Sequence, residues 1–260
     1  MEGTPVEPLI WRRGSLVFAT LILVLAVSIL VGVRYGLMLM IGLGFGLTLE
    51  GLRFGFAGPW RAMILRRDPS GILAQLLAIG LVAVVALPLI EARGGELLGA
   101  QAPVGWAMVG GAFVFGMAMQ VVLGCGSGTL VNAGSGNPVA LLALPFFAIG
   151  SFAGAYHLTA WTELGSLSIV RFTGWSGVAI TLTGLIGVAL CFLRQAAPEH
   201  RTIPFRYIVV ASIIAALALL NLVVAGQPWG VVYGLGLWVA KVGTVAGADL
   251  NGSAFWMAPA

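Results

Sequence analysis

The sequence predicts an all-α fold: a bundle of helices that span a lipid bilayer, with re-entrant glycine-rich loops and an internal repeat. Of its 260 residues, 60% are hydrophobic and only 8% are charged. A soluble domain carries about 25% charged residues, so this chain lacks the charge that a water-facing surface of the usual kind needs. Lipid can cover apolar side chains instead. The mean hydropathy of +1.05 agrees with a membrane location.

Eight segments have the length and apolar character of a membrane span, which needs about 20 residues. The first follows Trp11-Arg12-Arg13 and is too long for the apolar region of a signal peptide, so we interpret it as a retained helix. The predicted spans cover residues 15–33, 36–52, 71–90, 104–123, 138–155, 173–193, 207–224 and 228–246.

Arginine is distributed unevenly among the connectors between these spans. If every segment crosses, the connectors 1–14, 53–70 and 194–206 share one side, with nine arginines against three on the other side (Arg34, Arg93 and Arg171). Basic residues concentrate on the cytoplasmic side of membrane proteins, so we expect the richer side to be cytoplasmic. A single re-entrant segment would reverse the predicted side of the membrane for every connector that follows it. The positive net charge is therefore a sign of topology and does not indicate a nucleic-acid surface.

The two cysteines and two histidines do not form a recognisable metal or disulfide pattern. Cys125 and Cys191 both lie in apolar surroundings, and neither His157 nor His200 has the spacing of a zinc ligand. We therefore expect no metal, no cofactor and no enzymatic activity.

A weak similarity between two stretches of the chain suggests an internal repeat. The stretch 32–43 resembles the stretch 226–237 at a constant offset of 194 residues. Internal repeats build many transporters, so we predict one domain over 1–260, with a first repeat at 15–195 and the start of a second, incomplete repeat at 205–260. Chance similarity between two glycine-rich apolar helices is the alternative.

The most unusual stretch is Gly124-Cys125-Gly126-Ser127-Gly128-Thr129, which is followed by Asn132. Glycine at alternate positions disfavours a regular helix, yet the stretch lies between two apolar segments. Irregular backbone at membrane depth occurs where it is buried in protein or lines a cavity. Its N–H groups and an adjoining helix N-terminus would suit an anion. The alternative is a glycine-rich turn with an inert cysteine.

A second candidate is Arg53-Phe-Gly55-Phe-Ala57-Gly-Pro-Trp-Arg61, in which two arginines lie among aromatic residues after a long apolar run. Arginine near membrane depth is often functional, and its guanidinium suits an oxyanion. The alternative is that Arg53 and Arg61 only set topology or extend their charges to the interface.

Together, Arg53-x-Gly55-Phe56 with Arg61 and the Gly124-Cys125-Gly126-Ser127-Gly128-Thr129 stretch make the chain resemble the YeeE/YedE sulphur-transport family. The resemblance implies uptake of thiosulfate or a related small sulfur-containing anion across a bacterial inner membrane by a multi-pass protein. It also implies short broken segments that reach the centre from both faces, Cys125 as the pathway thiol, and a path shared by Gly124, Gly126, Ser127, Gly128, Thr129, Asn132, Arg53 and Arg61. A cytoplasmic sulfur-carrier protein and a second copy of the chain are further partners that it suggests.

The sequence departs from that family in two places. Position 57 is Ala57 where relatives often have a cysteine, and no second Gly-Cys motif follows Gly226. We expect a fragment, a shorter member that works as a dimer, or a member with another cargo. Two other functions remain open: a membrane thiol oxidoreductase or sulfur-relay subunit that uses Cys125 and Cys191, which would need disulfide reach, and a membrane subunit without transport of its own.

Overall fold

The computed structural model describes residues 6–99, 104–167 and 174–250, with side chains from Gly14 onward except at positions 104, 166 and 167. This part is almost entirely helical, which confirms the all-α prediction; a short antiparallel strand pair, β1 (Val104–Gly105) and β2 (Ser166–Leu167), is the exception. The helices are α1 (Val6–Leu30), α2 (Val33–Gly51), α3 (Ala57–Arg66), α4 (Ser70–Ala92), α5 (Trp106–Val122), α6 (Gly126–Gly134), α7 (Pro138–Tyr156), α8 (Leu158–Glu163), α9 (Gly174–Gln195), α10 (Phe205–Ala225) and α11 (Val231–Val245).

Each of the eight predicted spans corresponds to one of the longer helices. Six stretches of the described chain are long and apolar enough to cross a membrane, so the protein is a multi-pass membrane protein. The short helices α3, α6 and α8 lie where the sequence predicted connectors.

Several connectors meet at one end of the bundle, which we call the basic face. The backbone N–H of Ala197 donates to the carbonyl of Arg67 at 3.1 Å, and this bond joins the connector before α4 to the connector after α9. The basic face carries the exposed arginines Arg66, Arg67, Arg194, Arg201 and Arg206. The side chains of Arg12, Arg13 and Arg171, which entered the predicted charge balance, lie outside the described residues.

The other end of the bundle, the opposite face, contains the start of α2 and the end of α10. Arg34 donates from Nε to the carbonyl of Val224 at 2.8 Å and from Nη2 to the carbonyl of Ala225 at 2.9 Å. These carbonyls end α10 and have no partners within the helix, so the arginine replaces the missing donors. Nearby, the N–H of Leu98 donates to the carbonyl of Gly226 at 2.8 Å.

Helix α4 forms the buried centre of one half of the bundle and supports the segment between α2 and α3. A Cβ on Gly71 would lie 2.7 Å from Cγ of Pro59, so glycine allows α3 to pack closely on α4. The buried Gln75 donates from Nε2 to the carbonyl of Gly55 at 3.2 Å. The buried amide therefore fixes the loop that carries Arg53.

Helix α11 does not cross the bundle: the chain enters from the opposite face, and α11 returns to that same face. The chain leaves α10 at Gly226 on the opposite face, yet Val232 contacts the start of α6 beside Phe147, in the middle of α7. Further along α11, Gly236 packs on Ser151, so α11 runs parallel to α7. Since α7 ends near the paired strands β1 and β2 on the opposite face, α11 returns there. The prediction that 228–246 crosses the membrane is therefore wrong, because the chain descends before the helix begins.

The proposed repeat finds mixed support in the helix boundaries. Helices α2 and α11 end at Gly51 and Val245, which are separated by the same 194 residues. However, α1 and α2 pack as a hairpin in which Gly36 contacts Ser28, whereas α11 packs mainly on α7. The division into repeats stays a prediction.

One carboxylate at the basic face should make stability depend on pH. Oδ1 of Asp68 accepts from the N–H of Ser70 at 3.0 Å, at the start of α4. Partial burial favours the neutral acid, but the hydrogen bonds from Ser70 and the nearby charges of His200 and Arg66 outweigh it and lower the pKa of Asp68 below its ordinary value. The ionised form therefore stabilises the fold at pH values above the unfolded pKa of about 3.9.

We predict that Asp68→Ala lowers the melting temperature in detergent by a few degrees at pH 7, since loss of one such hydrogen bond removes about 1 kcal/mol. The difference from wild type should shrink as the pH falls through the pKa of folded Asp68. Glu199→Ala, at an exposed site on the same face, is the control. Equal melting temperatures for wild type and Asp68→Ala at pH 7 would show that this carboxylate does not stabilise α4.

Candidate functional site

The glycine-rich stretch forms a sharp break between α5 and α6. Leu123 adopts a left-handed conformation with φ of 59°, and Cys125 is extended with ψ of −174°. A Cβ on Gly124 would lie 2.8 Å from the backbone nitrogen of Thr129, so only glycine fits there. The break is shorter than the sequence predicted, because α6 already begins at Gly126.

Two of the predicted path residues hold this break together. Thr129, which is completely buried, donates from Oγ1 to the carbonyl of Gly124 at 3.5 Å. Asn132 donates from Nδ2 to the carbonyl of Leu123 at 3.4 Å. These bonds satisfy carbonyls that the interrupted helix leaves free, so both side chains have a structural role whatever the site binds.

The thiol of Cys125 lies at the N-terminus of α6 beside a hydroxyl group. Its Sγ is 3.4 Å from Oγ of Ser127, and the cysteine is half-buried. A Cβ on Gly128 would lie 3.7 Å from the same sulfur, so the thiol extends along the first turn of α6. No side chain caps this N-terminus. The first N–H groups of a helix have no partners within it, so the thiol, the hydroxyl and these N–H groups form one cluster of donors.

A second helix N-terminus meets this cluster. Helix α11 begins after Gly230, again without a side-chain cap, and a Cβ on Gly126 would collide with Cγ2 of Val232. The first turns of α6 and α11 are therefore in contact, next to Phe147 halfway along α7. Each N-terminus carries about half a positive charge. Two such N-termini in contact are the kind of arrangement that favours an anion.

An aromatic pair, which the sequence reasoning missed, lies directly before α11. The rings of Phe45 and Trp229 stack in parallel with centroids 4.0 Å apart and an interplanar angle of 3°. Phe45 is buried past the midpoint of α2, so Trp229, which is itself 38% exposed, lies level with the middle of α2 although Gly226 is at the opposite face. The Pro228-Trp229-Gly230 sequence, which disfavours a continuous helix, was the available signal for this descent.

Arg61 lines a cavity that extends from the basic face toward the break. The cavity, of about 800 Å³, lies between α3 and α5 and includes Trp60, Gln120 and Leu123 in its walls. Since Leu123 is two residues before Cys125, the structure brings Arg61 and the glycine-rich break to the same region.

Arg53 has a different position. It is exposed in the loop after α2, with φ of 51°, and does not line this cavity. Within the described part of the chain, the side chains of Arg53 and Arg61 form no ion pair, not even with Glu50 near the end of α2.

The two thiols belong to elements with different neighbours. Cys125 begins α6, which packs on α7, α2 and α11, whereas Cys191 is exposed near the end of α9, which packs on α4. Both cysteines are free. This arrangement gives no support to a redox pair of Cys125 with Cys191.

We predict that Gly126→Ala disrupts the contact between α6 and α11, because the new Cβ would collide with a β-branched side chain of restricted rotamer, Val232. Gly134→Ala is the matched control, since an added Cβ at this other end of α6 meets no atom within 4 Å. The measurement is the melting temperature in detergent, because overpacking a tight contact costs about 1–3 kcal/mol. We expect Gly126→Ala, but not Gly134→Ala, to lower it by a few degrees; equal melting temperatures for Gly126→Ala and wild type would contradict the packing of α6 on α11.

Comparison with known proteins identifies the family to which the chain belongs. No curated protein matches the chain. A protein family described as sulphur transport matches residues 52–258, a range that contains Arg53, Arg61, the glycine-rich break and both helix N-termini. Since the match covers most of the chain, the protein belongs to the sulphur-transport family of membrane proteins.

Proposed function

We propose that the protein takes up thiosulfate, or a related small sulfur-containing anion, through the point where α6 and α11 meet. The observation that carries the proposal is the contact of Gly126 with Val232, which joins two uncapped helix N-termini beside Cys125. Membership of the sulphur-transport family supports the class of substrate. The choice of thiosulfate and the position of the path are the proposal itself.

The chemistry of the junction suits a divalent oxyanion. Backbone N–H groups at two helix N-termini donate hydrogen bonds, and their partial positive charges favour an anion. The thiol of Cys125 and the hydroxyl of Ser127, whose sulfur and oxygen atoms are 3.4 Å apart, add two rotatable donors. Glycine at 124 and 126 allows the close packing of the break on Thr129 and Val232, and Gly128 places no side chain against the sulfur of Cys125. No covalent step is required.

Arg61 offers the next position along the path toward the basic face. Arg61 lines the same cavity as Gln120 and Leu123. Arg53, at the exposed end of α2, would increase the local concentration of anions at that face and shape the loop. Several weak sites in series suit transport, since the ion must also leave each of them.

The cellular setting follows from the distribution of charge. The basic face would be cytoplasmic by the positive-inside rule, and the membrane would be the inner membrane of a bacterium. The anion would then descend along the 226–230 segment and leave past Arg61. A cytoplasmic sulfur-carrier protein could receive it there, and a second copy of the chain could complete a dimer; both partners are part of the proposal.

The decisive test is uptake of radiolabelled thiosulfate by cells that lack other routes for it. Cys125→Ala removes a donor to a charged ligand, a bond of about 1.5–3 kcal/mol, so we expect uptake at subsaturating thiosulfate to fall about tenfold or more. Cys125→Ser keeps a donor and should retain more activity than the alanine variant. Cys191→Ala is the matched control and should transport normally.

The possible results separate two parts of the proposal. Uptake at the wild-type level by Cys125→Ala would exclude the role of the thiol but not the transporter class. No uptake of thiosulfate by the wild-type chain, when it is present in the membrane at a verified level, would contradict thiosulfate as the substrate.

A further inference from the structure

A groove on the outer surface of the bundle, away from the junction of α6 and α11, runs between α4 and α9. Its volume is about 410 Å³, and its walls are almost entirely Leu, Ile, Val and Ala side chains. Gly80 lets the helices approach closely at its floor, because a Cβ there would lie 3.3 Å from Cδ2 of Leu182. The groove is therefore a built feature of the α4–α9 contact and is separate from the proposed path.

The length of the groove matches one leaflet of a membrane. Along α4 the lining extends from Leu73 to Val84, a distance of about 16 Å at 1.5 Å per residue. This is about half of the 30 Å hydrocarbon core of a bilayer. The exposed side chain of Ile186 lies on its outer edge, so the groove is open toward lipid. A single acyl chain would fit this shape.

One end of the groove is positively charged. Arg201 and Ile203 close the end at which α4 begins and α9 finishes, on the basic face. Arg201 is exposed, and in the part of the chain that the structure describes no carboxylate lies within ion-pair distance of it, although Asp68 and Glu199 belong to the same face. Its guanidinium is thus available where a lipid headgroup would be.

We propose that this groove is a binding site for an anionic phospholipid, with one acyl chain between α4 and α9 and the headgroup phosphate on Arg201. Basic pockets beside membrane helices on the cytoplasmic side bind such headgroups, and Arg201 provides the charge complementarity. The proposal does not depend on the transported anion, since no residue of the groove belongs to the proposed path.

The test is native mass spectrometry of the delipidated full chain, titrated with phosphatidylglycerol and with phosphatidylcholine of identical acyl chains. We expect phosphatidylglycerol to be retained about fivefold more strongly, the ratio that corresponds to about 1 kcal/mol for one basic residue near an anionic headgroup. Arg201→Gln should remove this preference. Arg194→Gln, at a neighbouring exposed arginine that does not line the groove, should keep it.

A second pair of variants tests the acyl-chain part. Ala189→Trp fills the groove and should reduce retention of both lipids, whereas Val188→Trp on the adjacent exposed position should not. Melting temperatures close to wild type would establish that each variant is folded. Equal retention of the two lipids by wild type, an unchanged preference in Arg201→Gln, or unchanged retention in Ala189→Trp would each overturn the proposal.

Discussion

The first N–H groups of a helix have no hydrogen-bond partners within that helix, and the hydrocarbon of a membrane offers none. This constraint governs the centre of the protein, where the uncapped N-termini of α6 and α11 meet at the contact of Gly126 with Val232. Helix α7 holds both first turns against one surface. The contact keeps the first turns of both helices against protein, and we propose that an anion binds between them.

The elements around the junction can be understood as supports for it. On one side, Thr129 and Asn132 bond the carbonyls that the break after α5 sets free. On the other side, Arg34 fixes the end of α10, and the parallel stack of Phe45 with Trp229 holds the descending segment within the bundle. The two half-helices thus come to the centre from opposite ends, with α6 joined to α7 near the basic face and α11 returning to the opposite face.

The long helices could be predicted from composition and from the lengths of the apolar segments, because a helix that crosses the hydrocarbon core needs about 20 mostly apolar residues. The glycine-rich stretch also marked the break at Gly124, since its backbone contact with Thr129 excludes a side chain. The return of α11 could not be predicted from hydropathy, because an apolar helix has the same composition whether it crosses or turns back. The contact of Gly126 with Val232 and the stack of Phe45 with Trp229 join residues far apart in sequence, and no local pattern specifies such pairs.

The central claim is that an anion binds between the first turns of α6 and α11, and the position of a bound ion tests it most directly. A crystal structure of the protein with selenosulfate, in which selenium replaces the terminal sulfur of thiosulfate, would locate that atom by its anomalous scattering. We expect a selenium peak within contact distance of Cys125 Sγ and of the backbone N–H groups that follow it. A peak confined to the arginines of the basic face, with none beside Cys125, would show that the anion does not bind between α6 and α11.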